Sequence, residues 1–121
     1  MIPPIFTTVS ASSAVTAIIG TNPVRLYAAG YAPQNVAKPY ATYQVISGSP
    51  ENYLNQVPDH DEYGIQIDCF AQSYNDVINL AKAIRDSVEP VAHITAWRGG
   101  GKENETMLYR YSFDVAWQLN R

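Results

Sequence analysis

The chain has 121 residues, 46% of them hydrophobic and 16% charged, a balance that fits one globular unit over residues 1–121. It contains no apolar run near the ~20 residues of a membrane-spanning helix, which excludes that class. Eight Lys/Arg against eleven Asp/Glu leave a net charge of -3, the wrong sign for a domain that grips phosphate backbones, and the lone Cys69 excludes an intrachain disulfide.

The opening MIPPIFTTVS lacks the basic and apolar regions of a secretory signal, so folding in a reducing cytoplasm is expected. Pro3 and Pro4 suit a first helical turn, and Ile5, Phe6, Val9, Ala14, Val15, Ile18 and Ile19 follow at helical spacing up to Gly20. Ser12 and Ser13 are better caps than interior residues, so the segment is either one helix or two short ones with a serine starting the second. Thr21-Asn22-Pro23 reads as a turn, Val24–Ala28 as a short strand, and Gly30–Pro39 as an irregular, mobile connection.

Tyr40–Ser47 has strand propensity, with Ala41, Tyr43 and Val45 on one face. Gly48–Asp61 shows no period and is expected to be a long loop. Tyr63, Ile65, Ile67, Cys69 and Ala71 then alternate with polar positions, which marks a half-buried strand. Ser73 followed by Asp76 has the form of a capping box. Val77, Leu80, Ala81, Ile84 and Val88 fall on one face of the helix it starts, which Pro90 stops after about 24 Å. His93–Arg98 is a further strand, Gly99–Glu105 a flexible hairpin tip, and Tyr109, Tyr111, Phe113, Val115 and Trp117 mark a long last strand. This order predicts a two-layer α+β sandwich: a mixed, mainly antiparallel sheet of about five strands covered by two helices. Its core is predicted to join Ile65, Ile67, Val77, Leu80, Ile84, Phe113 and Val115.

Catalytic chemistry is harder to find. Asp59-His60-Asp61-Glu62 offers four metal-ligating side chains, but consecutive residues of an extended strand point to alternate sides, and His93 is the only other histidine. The segment reads as a solvated acidic loop. GGGK at Gly99–Lys102 lacks the frame and the strand-to-helix context of a phosphate loop. Cys69 is in phase with Ile65 and Ile67, so its thiol belongs to the core, and no serine stands in a nucleophile-elbow frame. Asp68 and Asp114 lie on polar strand faces and read as ordinary solvated carboxylates in preference to an acid–base pair. No catalytic residue, cofactor or metal ligand is assigned. Nine tyrosines against three phenylalanines suit contact surfaces as well as strand edges.

Three segments carry a family resemblance: PYATYQVISG at 39–48, IQIDCFAQSYNDVINLAKAIRDSV at 65–88 and YRYSFDVAWQ at 109–118. Together with the first helix leading through Gly20 to Arg25-Leu26-Tyr27, they resemble the small tail-completion or tail-terminator proteins of bacteriophages with long, non-contractile tails. The likeness covers nearly the whole chain and rests on packing patterns. It implies a structural virion protein, made and assembled in the host cytoplasm. Such a protein forms a homo-hexameric ring that caps the tail tube on one side and joins the head-tail connector or neck on the other. DNA would pass through without specific binding, and a mildly negative ring suits that passage. The alternatives are another neck component, such as a head-completion or stopper protein, and a small α+β ligand-binding regulatory module.

The family motif transfers no interface residues, so candidates come from the loops themselves. They are Glu51, Tyr53, Leu54, Asp59, His60 and Asp61 in the first long loop, and Arg98, Lys102 and Glu103 around the glycine tip, with Tyr31–Lys38 as a third segment. The acidic loop is expected to face either the channel or a neighbouring subunit.

Overall fold

The computed structural model describes residues 2–121. Helix α1 (Ile5–Ser10) follows Pro3 and Pro4 and buries Ile5 and Val9. The run then breaks: Ser12 takes an extended conformation, and its side chain accepts from the Val15 N–H to start α2 (Ser13–Ile19). Gly20 ends α2 at φ 82°, a left-handed backbone conformation that calls for glycine. The first helical segment is thus two helices, and the fold carries three helices where two were expected.

The sheet has five strands in the order β1 (Leu26–Ala28), β2 (Tyr40–Pro50), β3 (His60–Ala71), β5 (Tyr109–Asn120), β4 (His93–Gly99). β1 pairs parallel with β2, and the other pairings are antiparallel. This is the mixed, mainly antiparallel α+β architecture expected from the periodicities. β3 lies at the centre, its odd-numbered apolar residues facing α3 (Tyr74–Val88), whose start is capped by Ser73 accepting from the Asp76 N–H at 3.1 Å. α3 packs across β3 and β5, and α1 and α2 pack against α3. One buried cluster results, with Ile65, Ile67, Val77, Leu80, Ile84, Phe113 and Val115 all fully enclosed. No helix among the described residues is long and apolar enough to cross a membrane.

The expected Gly48–Asp61 loop is shorter than its sequence indicates. Ser47, Gly48, Ser49 and Pro50 pair with Gly64, Tyr63, Glu62 and Asp61, so β2 and β3 continue into it and only 51–59 remains. Backbone pairing with β3 imposes the strand on residues whose own β-propensity is poor, past an irregularity between Val45 and Ser47. β5 likewise runs on to Asn120, whereas β1 contracts to three residues.

Candidate functional site

β2, β3 and β5 extend together at one end of the sheet and carry a hairpin arm. The Glu51 N–H donates to the His60 carbonyl at 3.1 Å, Tyr53 and Gln56 form a further bridge, and Asn55 makes the turn at φ 69°. His60 Nδ1 lies 2.8 Å from Asp59 Oδ1 and 3.3 Å from the Tyr53 hydroxyl. The hydrogen bond from His60, with the Tyr53 hydroxyl close by, holds the Asp59 carboxyl below the ordinary aspartate range. Arg121 donates from Nη2 and Nε to the two oxygens of Asp61 at 3.0 and 3.2 Å, with the same effect on that carboxyl. Glu62 accepts from Gln118. Asp59 and His60 therefore pair with each other while Asp61 and Glu62 go to Arg121 and Gln118, and among the described residues no three His, Cys, Asp or Glu side chains converge on a metal site. Asp61 belongs to β3 and is tied to the last residue of the chain, which corrects its placement in a free loop. At the arm's tip Leu54 is 91% and Val57 77% exposed.

Lys102 and Glu103 lie at the opposite end, beside Tyr109 and Leu108, whereas Arg98 stands further in, its neighbours Trp97 and Gly99 pairing with Phe113 and Ser112. β3 has 12 residues, so at about 3.4 Å per residue the two ends are separated by roughly 37 Å. Gly100 runs against β5 so closely that a Cβ would overlap the Arg110 carbonyl, which explains a glycine there better than any phosphate. The Arg110 N–H donates to the Gly101 carbonyl and the Glu103 N–H to that of Leu108, closing the 99–108 connection onto the strand. Lys102 Nζ sits 5.7 Å from the centre of the Tyr109 ring, and Thr106 donates to Glu103. The Ala29–Pro39 connection enters β2 at Tyr40, opposite Phe70, at this same end. The candidate residues thus form two groups at opposite ends of the sheet, with Arg98 between them.

Between these ends, the face of the sheet away from α3 holds a polar network. Asp68 accepts from Ser112, from Gln66 at 3.1 Å and from Arg110 at 3.3 Å, while Asp114 takes a bidentate pair from Arg98 at 2.9 and 2.6 Å. Each aspartate is only 7% exposed, so neither is the solvated surface carboxylate that strand phase indicates. With guanidinium partners in place, both act as structural acceptors. Register is the missing signal: Asp68 stands opposite Ser112 and Gln66 opposite Asp114, a juxtaposition visible only once β3 and β5 are paired. A cleft of about 380 Å³ lies over this network, between Arg98, the Gly99–Gly101 run and Arg110.

Cys69 is fully buried, and burial pushes its thiol far above the ordinary range. The folded chain is therefore expected to resist iodoacetamide at pH 8 and to take up one equivalent after unfolding in guanidinium. Mass spectrometry before and after denaturation checks this, and rapid labelling of the native chain would contradict the packing of β3.

The sequence matches the family model "Tail completion protein gp17" over residues 3–119. No curated protein matches it. Among solved structures, a chain from the "Virion of native gene transfer agent (GTA) particle" has a similar fold, with a TM-score of 0.70 at 10% sequence identity. The similarity covers 97% of this chain and 92% of that one.

Proposed function

The chain belongs to the Tail completion protein gp17 family, and from that membership we propose that it forms a closed ring, with six copies expected, at the head-proximal end of a phage tail. As a structural component of the virion tail, it would cap the tail-tube protein on one side and meet the head-tail connector or neck protein on the other. DNA would pass through the centre without specific binding, and assembly would take place in the host cytoplasm.

The observation that carries this reading is the pair of loop-bearing sheet ends, roughly 37 Å apart by strand rise. A ring that joins two unlike partners needs two distinct contact regions on each subunit. Here one is the arm at 51–59, and the other is formed by the 99–108 and 29–39 connections. A non-catalytic role is part of this reading, and the burial of Cys69 and the engagement of Asp68 and Asp114 by arginines support it. A net charge of -3 suits a channel wall that does not retain the phosphate backbone.

Depletion tests the proposal. Phage particles assembled without the chain are expected to accumulate as separate heads and tails in electron micrographs, and adding the purified protein should join them. Normally joined particles without the chain would overturn the reading.

A further inference from the structure

A groove of about 240 Å³ runs between the outer side of α3 and the β4–β5 edge, lined by Ile78, Ala81, Lys82, Arg85, Trp97 and Tyr111. Its floor is aromatic and aliphatic. Trp97 packs 5.2 Å from the Phe113 ring centre and 6.1 Å from that of Tyr111, yet stays 49% exposed. Large half-exposed aromatics over an apolar floor are the usual anchors of a protein contact. Cations border the groove. Arg85 is already engaged by Asp86 and Glu89, so Lys82, exposed on α3, is the cation free to meet an incoming acidic group.

The hairpin arm has the complementary character. Leu54 and Val57 project apolar side chains into solvent, and Glu51 and Asp59 flank them. The arm cannot reach the groove of its own chain. Its base is at the His60–Asn120 rung, whereas the groove is level with Tyr111, nine residues away on β5 and roughly 30 Å at the strand rise. We propose that the Leu54–Val57 tip of one copy docks in the Trp97 groove of the next copy, with Glu51 and Asp59 facing Lys82. Two different surfaces then meet, which is the head-to-tail contact that can close into a ring. Simple strand addition at the β4 edge is disfavoured by its irregularities at Ile94/Ala96 and Trp97/Gly99, so side chains in the groove carry the contact. The inference rests on the ring reading above and names the surfaces that form it.

Cysteine cross-linking in assembled particles tests it, because Cys69 is buried and does not interfere. Particles carrying Leu54→Cys with Lys82→Cys, both at exposed positions, are oxidised and the chains separated under denaturing conditions. The expected result is a ladder of covalent multimers of this chain. Either cysteine alone should give no dimer, and an equal mixture of the two single variants should give dimers only. Val57→Cys with Lys82→Cys is a second pair, and the melting temperature of each purified variant checks its fold. Joined particles in which neither pair cross-links would overturn the docking, as would dimers from Leu54→Cys alone. A product between Leu54→Cys and a different polypeptide would assign the tip to the tail tube or neck and overturn self-docking. Heads and tails that join without the chain would overturn the ring reading itself.

Discussion

Ile67→Ala is expected to lower the unfolding free energy by about 2–5 kcal/mol, because it removes a side chain that is fully enclosed on the central strand. Ile67 lies between Tyr43 on β2 and Phe113 on β5 and belongs to the cluster beneath α3. Neighbours pinned by two flanking strands can relax little into the space left, so the cavity adds to the lost transfer free energy. Denaturant unfolding followed by far-UV circular dichroism measures the loss. Val57→Ala is the internal contrast: at 77% exposure it should change stability by less than about 0.5 kcal/mol. An Ile67→Ala loss that small would place Ile67 outside the core.

Replacing Asn52–Asp59 by Asn-Gly should leave the fold intact and abolish the joining of heads to tails. Glu51 and His60 already exchange a backbone hydrogen bond, so a two-residue turn between them closes the hairpin without altering its register. The shortened chain loses the contact of the Arg121 N–H with the Asp59 carbonyl, together with a tip whose side chains are almost all exposed. Its melting temperature should therefore stay close to that of the parent. Particle assembly should fail completely, because the segment removed is the one that presents Leu54 and Val57. Normal joining by a chain lacking the tip would show that the arm has no part in assembly.

The elements that position these residues were legible wherever burial leaves a period. Odd-numbered residues from Ile65 to Ala71 on β3 and from Tyr109 to Trp117 on β5 face one core with the Val77–Val88 stripe of α3, and the alternation records that directly. The break between α1 and α2 was left open by the sequence, which offered Ser12 or Ser13 as a cap; the structure selects Ser12, which bonds the Val15 N–H. The family likeness was legible as well, since its marks are those same packing patterns spread along the chain. The strand character of Ser47–Pro50 was not. Those residues carry no apolar signal, and their conformation comes from the backbone groups of β3 opposite them.

Which faces are apolar, and which residues cap the helices, is set locally by the amino-acid sequence. These are local properties, set by side-chain period and by hydrogen bonds spanning a few residues. The tertiary structure alone decided that Asp68 and Asp114 are enclosed with Arg110 and Arg98, since the pairing partners lie 42 and 16 positions apart. It also decided that the arm and the glycine connection sit at opposite ends of the sheet, and that the groove beside Trp97 lies far from the arm of its own chain. Those relations follow from the order β1-β2-β3-β5-β4, in which α3 carries the chain over the sheet and β5 is inserted between β3 and β4. Strand order is a property of long-range pairing, and no local period encodes it.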